Sequence, residues 1–331
     1  MRASVHPFPE GVCEVSTEEG AALFLIDLPI ALPGFDHHLS SWLLRDFKRG
    51  RNILIDTGPS ASVPFLERSL RSLGVERLDL VLLTHIHADH AGGAGRLLER
   101  FPEARVLAPE RGRTHLVHPS RLAEGTRATL GAAMADAFGP ILPVQKERLI
   151  DSSDPLLEGF TVLETPGHAS HHSSYVFHAD FGKILFPGEA AGVGLGEAVR
   201  SLWTAPGMPN VSAPYRFPAT PPRLDGEALE RSMELLSAES GAKYLCFSHY
   251  GWTTEVAETL NLAAVQFRDW CERARRCAAA DEEDAVALLF DETQREDPLL
   301  GLLSSLRTEQ RQKEEFFIKN SLRGIVRWVR S

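Results

Sequence analysis

A chain of 331 residues with 43% apolar and 24% charged positions has the composition of an ordinary globular protein and length for one large core with an appended subdomain. Its net charge of -10 argues against a polyanionic partner, so neither nucleic acid nor an anionic membrane surface is expected. The four cysteines, Cys13, Cys246, Cys271 and Cys277, form no Cys-x-x-Cys pair and are read as reduced thiols; with no spanning apolar stretch and no signal-peptide pattern, a cytoplasmic location is expected.

The chain opens with short β-rich runs over 11–16, 22–28, 41–44 and 52–55, bounded by turn formers or charges, which predict an N-terminal sheet. Phe65, Leu66, Ser69, Leu70 and Leu73 follow at helical spacing, and Gly74 closes that segment. Residues 78–84 (Leu-Asp-Leu-Val-Leu-Leu-Thr) form a nearly continuous apolar run, the pattern of a strand covered on both faces. A helix is predicted over 92–100, a strand over 105–108, and a largely helical insertion over 111–138, lying over one end of the sheet near the site.

Strands resume at 160–164, 174–177 and 183–186, with a hairpin turn at 179–182. Prolines crowd 202–222, and an irregular stretch of that length has a function or wraps a surface. An amphipathic helix over 224–240 and a buried strand over 243–247 complete this part. Helices are predicted at 256–279, 282–290 and 309–329; the stripe Phe317, Ile318, Leu322, Ile325 and Val329 in the last one serves a homodimer interface, a cover over the site, or the chain's own core.

The chemistry concentrates at Thr84-His85-Ile86-His87-Ala88-Asp89-His90, where three imidazoles and one carboxylate follow a buried strand directly. In an extended segment residues two apart face the same way, so His85 and His87 reach one metal ion together. A turn into a helix near Gly92-Gly93 then swings Asp89 and His90 toward a second ion. Imidazole and carboxylate at this density suit zinc, iron or manganese.

His-x-His-x-Asp-His resembles the signature of the metallo-β-lactamase superfamily, shared by glyoxalase II and related thioesterases. Leu54-Ile-Asp56-Thr-Gly58 is similar to its first motif, Thr165-Pro-Gly-His168 to the segment of a third histidine, and Phe247-Ser-His249-Tyr-Gly251 to that of the last. Ala-Ser-His171-His172-Ser-Ser-Tyr175 is also typical of its hydrolase-like members. Together with Pro109-Glu-Arg-Gly112, His118-Pro-Ser-Arg-Leu122 and the C-terminal helices, these segments resemble a smaller archaeal and bacterial subgroup.

The resemblance implies an α/β fold, a four-layer αββα sandwich with a C-terminal helical appendage: a catalytic domain over 1–252 and a helical subdomain over 253–331. It implies two divalent metal ions, zinc first and iron or manganese as alternatives. His85, His87 and His168 belong to one ion, and Asp89, His90 and His249 to the other. One departure stands out: Phe186-Pro-Gly188-Glu189 carries glutamate where the superfamily usually has a bridging aspartate. Glu189 is read as a ligand, of one ion rather than both; capping a turn is its alternative role.

The implied function is a hydrolase in which metal-bound hydroxide attacks an ester, thioester or lactone carbonyl of a small-molecule substrate, with Asp89 handling the proton and Asp56 holding a ligand imidazole. Two alternatives are a mononuclear iron enzyme oxidising persulfides and a non-catalytic metal-binding protein. His171 and His172 contact substrate, support the ligands or make structural hydrogen bonds; His37, His38, His115 and His118 are read as surface or packing residues. Tyr250 and Trp252, beside His249, are read as packing aromatics, with lining the pocket as the alternative, and Tyr215 and Arg216 as selectors of an acidic substrate.

Overall fold

The computed structural model describes residues 10–194, 215–217 and 224–331, and these divide into two compact units. The first takes residues up to Ile30, Leu39–Glu158 and Ala179–Phe181; the second takes Ala31–His38, Gly159–His178 and the described residues from Gly182 on. The helical residues beyond 252 therefore share the second unit with a sheet. Among the described residues no helix is long and apolar enough to cross a membrane.

In the first unit β1 (Val12–Glu18), β2 (Ala21–Leu28), β3 (Leu39–Asp46) and β4 (Arg51–Ile55) run antiparallel. Beyond β4, β5 (Leu80–Leu82), β6 (Arg105–Leu107) and β7 (Leu149–Ile150) add in parallel, completing a seven-stranded sheet. The change of direction follows from the connections: α1 (Val63–Ser72) lies between β4 and β5, and a crossover helix returns the chain to the same end of the sheet. Next come α2 (Ala88–Ala91) and α3 (Ala94–Arg100), joined through Gly92 and Gly93.

Val63, Leu66 and Leu70 of α1 face Leu54, Val81 and Val106 of the strands, with Ala94 and Leu97 of α3 completing the core. Each buried leucine there contributes about 1.5–3 kcal/mol. All three residues of β5 are fully covered, as the apolar run anticipates. The insertion resolves into α4 (Arg113–Val117), α5 (Ser120–Leu130) and α6 (Ala132–Phe138); α5 buries none of its residues and approaches α2.

The second unit holds β8 (Phe160–Glu164), β9 (Ser173–Ala179), β10 (Gly182–Phe186), the ribbon strands β11 (Val193–Gly194) and β12 (Tyr215–Arg216), then β13 (Tyr244–Cys246) and β14 (Trp252–Thr253). Its five-stranded sheet has the order β14-β13-β10-β9-β8, with β10 and β13 parallel. Residues 202–214 and 218–222 of the proline-rich stretch lie outside the described residues.

Among the described residues, α7 (Gly226–Ser237) precedes β13, and α8 (Val256–Arg276), α9 (Glu282–Glu296), α10 (Pro298–Gly301) and α11 (Thr308–Val329) follow β14. Asp225 and Asp281 begin α7 and α9 as N-caps, their carboxylates accepting from the Ala228 and Asp284 amides. Ile318, Leu322 and Ile325 of α11 are fully buried against Leu229, Phe267, Trp270 and Leu289. Apart from Phe317, the apolar stripe thus belongs to this unit's own core, with Val329 partly buried against it.

Candidate metal centre

Both units set their chemistry just past the carboxyl ends of parallel strands, where backbone leaves the sheet and side chains converge. In the first unit Asp56 follows β4 and His85 lies shortly after β5. Asp56 adopts φ +55°, a left-handed conformation that costs about 1–3 kcal/mol in a non-glycine residue. Its backbone is held by the Leu82 carbonyl at 2.9 Å and by the Ser41 hydroxyl at 2.6 Å.

So placed, the Asp56 carboxylate accepts from the Thr84 amide at 2.8 Å, the Thr84 hydroxyl at 2.8 Å and His90 Nδ1 at 3.2 Å. An ionised carboxylate only accepts, so His90 carries its proton on Nδ1 and its lone pair on Nε2. Thr84, having donated to Asp56, accepts from His85 Nδ1 at 3.1 Å, which leaves the lone pair of His85 on Nε2 as well. One buried acid thereby fixes two tautomers. The His85 ring lies 4.6 Å from His87 and 4.2 Å from His90, and Asp89 Oδ2 stands 3.7 Å from His90 Nε2.

In the second unit Glu189 follows β10, His249 follows β13, and His168 sits in the loop between β8 and β9. That loop is seated on α7: Gly167 has φ +141°, and a Cβ there would lie 2.4 Å from Leu229 Cβ. The Ser232 hydroxyl donates to the Pro166 carbonyl at 2.7 Å, and the Asp225 amide to the Gly167 carbonyl at 3.1 Å. Glu189 Oε1 is 3.6 Å from His168 Nε2 and 3.3 Å from His249 Nε2.

A directed chain of hydrogen bonds reaches Glu189 from behind. The Glu189 amide donates to His172 Nε2 at 3.1 Å, so the His172 proton is on Nδ1 and goes to the Thr165 hydroxyl at 2.8 Å. Thr165 donates to Ser174 at 2.8 Å, and Ser174 to the Pro187 carbonyl at 3.0 Å. Both nitrogens of His172 are engaged, which makes it a support for Glu189 rather than a ligand. The sequence leaves its role open, because only the turn between β9 and β10 brings residue 189 to residue 172.

Nitrogen and carboxylate oxygen form the donor set that divalent zinc and its neighbours prefer. A tetrahedral ion with bonds of about 2.0–2.1 Å has donor-to-donor edges of about 3.3–3.4 Å. The Glu189–His249 separation of 3.3 Å is that edge, and the Glu189–His168 separation of 3.6 Å is close to it. The residues present therefore fit a divalent ion. The family model of the metallo-β-lactamase superfamily matches residues 36–249.

The chain belongs to the metallo-β-lactamase superfamily.

Members similar in sequence include the hydroxyacylglutathione hydrolase of Xanthomonas campestris pv. campestris, 29% identical over 256 residues that make up 75% of this chain and 76% of the relative. The Xylella fastidiosa hydroxyacylglutathione hydrolase is 32% identical over 145 residues, 44% of this chain and 43% of the relative. Among solved metallo-β-lactamase superfamily structures, a family protein from Thermus thermophilus aligns with TM-score 0.59 at 20% identity, covering 91% of both chains. A metallo-β-lactamase from Cronobacter sakazakii aligns with TM-score 0.51 at 22% identity over 80% of this chain and 95% of its own. These likenesses establish the metallo-β-lactamase fold.

Other candidate residues of this metallo-β-lactamase superfamily member fall to different roles. His115 and His118 lie in or beside α4, outside the histidine and carboxylate groups. His37 is exposed, with its ring 4.9 Å from Tyr250. Arg216 is buried and paired with Glu314 at 3.2 Å, which occupies the guanidinium proposed to select substrate.

His38 differs most from its sequence reading. It is buried, its ring stacks on Phe317 at 5.4 Å and meets the His249 ring edge-on at 4.8 Å. Burial first, then the nearby Lys313 and His249, pushes its imidazole well below the ordinary histidine value.

Proposed function

We propose that this metallo-β-lactamase superfamily protein is a metal-dependent hydrolase of the ester, thioester and lactone class, with a thioester as its substrate and zinc as its metal. The thioester reading is supported above all by the hydroxyacylglutathione hydrolases similar over three quarters of the chain. In this reading the metal ligands are His85, His87, Asp89 and His90 of the first unit, and His168, Glu189 and His249 of the second. Glutamate at 189, close to both His168 and His249, then serves both ions, although the sequence suggests one.

A divalent ion in such a site supplies Lewis acidity, lowering the pKa of water toward about 7 and polarising a carbonyl oxygen. The protein's own part is orientation and proton handling. Asp56 keeps the Nε2 lone pairs of His85 and His90 turned outward, because its oxygens already accept from Thr84 and His90. Those bonds also disqualify Asp56 as a proton carrier. Asp89, only partly buried and 3.7 Å from His90 Nε2, is the carboxylate left to take a proton during attack and return it to the leaving thiol.

The test is release of free thiol from an S-hydroxyacyl-glutathione, followed with a thiol-reactive dye before chelation, after chelation and after zinc is restored. Thiol release that stops on chelation and returns with zinc supports the reading. No release by zinc-loaded protein from thioester, ester or lactone overturns it. Oxygen consumption with glutathione persulfide by protein holding one iron per chain would transfer the protein to the oxidative class.

A further inference from the structure

The loop before β3 and the C-terminal helix α11 meet inside the second unit, and their contact reaches His249. Gly34 of that loop has φ +81° and lies so close to α11 that a Cβ would come within 2.5 Å of the Glu309 carbonyl oxygen. Arg307 pairs with Asp36 at 2.7 Å alongside it. Further along the loop His38 is enclosed by Phe317, Phe35 and His249, with ring centroids 5.4, 4.8 and 4.8 Å away. The Tyr250 amide donates to the His38 carbonyl at 3.2 Å, so loop and ligand segment are joined through backbone as well.

Charge fixes the remaining freedom. Lys313 Nζ approaches His38 Nδ1 at 3.4 Å, and an ammonium only donates, so Nδ1 accepts and the His38 proton is on Nε2. Lys313 is anchored by Glu314 at 2.8 Å, and Glu314 by Arg216 at 3.2 Å, all three buried. A ring of fixed tautomer, packed between an aromatic face and the edge of His249, has little room to rotate.

We propose that His38 is a positioning residue for His249, held by Lys313 and Phe317 of the C-terminal helix so that His249 keeps the ring plane its metal requires. The proposal rests on the reading of His249 as a ligand of the second ion. It gives α11 a task in the metal centre beyond covering a core.

The experiment is metal binding to chelator-stripped full-length protein, titrated with cobalt(II) and followed by visible absorption, for wild type and the variants His38→Ala, His38→Phe, Lys313→Met and His249→Ala. Expected in His38→Ala is an unchanged first equivalent and a second weakened about 10–100-fold with an altered band shape, as for other groups that orient ligands. His38→Phe, which keeps the ring contacts, restores part of that loss, and Lys313→Met falls between. His249→Ala should bind one equivalent only. If His249→Ala keeps both equivalents, the ligand reading fails and this proposal with it. If His249→Ala loses one equivalent while His38→Ala and Lys313→Met titrate like wild type, the ligand reading stands and the positioning role is refuted. Melting followed by circular dichroism identifies any misfolded variant, in which case His38→Phe and Lys313→Met decide.

Discussion

The carboxylate of Asp56 accepts a hydrogen bond from His90 Nδ1 at 3.2 Å, which directs the lone pair of that ring away from the acid through Nε2. In Asp56→Asn the carboxamide presents two protons where three donors now point. His90 and His85 lose their imposed tautomers together. Metal affinity measured by competition with a chromogenic chelator should fall about 10–100-fold while the melting curve of the stripped protein stays cooperative. Unchanged affinity would show that Asp56 does not control the ligands.

His172 supports Glu189 through its amide rather than its side chain. His172→Ala leaves that amide without its acceptor and breaks the path to Thr165 and Ser174. The ion served by Glu189 should bind about 10–100-fold more weakly, and His172→Gln, which retains an acceptor at a similar reach, should recover part of the loss. Isothermal titration with zinc measures both; equal affinities for all three proteins would show that His172 plays no part in holding the ion.

Gly167 sits at φ +141° against Leu229 of α7. Gly167→Ala forces either backbone strain or displacement of a helix, at a cost of about 2–4 kcal/mol. Urea denaturation should report that loss, together with weakened metal binding, because His168 is the next residue. A variant as stable as wild type would mean the loop has slack that these contacts do not suggest.

Glu314 supplies a pH dependence with a definite sign. Burial alone would raise its carboxyl, but Lys313 and Arg216 outweigh burial and hold it below the ordinary glutamate value. The unfolded chain then binds the proton more readily, so this stabilisation is present above the unfolded value of about 4.3 and is lost as pH falls through the lower folded value. Glu314→Gln leaves two buried cations unpaired and should cost about 3–5 kcal/mol at neutral pH. The gap between wild type and variant should narrow in acid; urea midpoints that stay equally far apart from pH 7 down to pH 3 would contradict the assignment.

Much of the fold and of the ligand cluster is legible in the amino-acid sequence. Leu80, Val81 and Leu82 form a continuous apolar run, and a fully covered strand reads as that. The spacing of His85, His87, Asp89 and His90 announces a ligand cluster, because extended backbone and then a helical turn bring alternate residues to one side. The β-rich run over 160–164 coincides with the observed strand Phe160–Glu164.

What escapes reading depends on contacts remote in sequence. His38 resembles a loop histidine because Lys313, which sets its tautomer, lies 275 positions later. His172 and Ser174 carry no signal separating a ligand from a support; the hydrogen-bond direction that decides it comes from a backbone amide beyond β10. Leu149–Ile150 and the ribbon strands are two residues long, too short for any periodicity. The glutamate at 189 is visible as a departure, but its position 3.3 Å from one imidazole and 3.6 Å from another needs the fold.

The central claim is tested most directly by elemental analysis of protein purified without chelator, with Glu189→Gln prepared in parallel. Wild type should carry close to two divalent ions per chain, and Glu189→Gln markedly fewer, since its carboxamide is a poor ligand for either ion. Wild-type protein with no bound metal, or a Glu189→Gln protein holding its full complement, would contradict it.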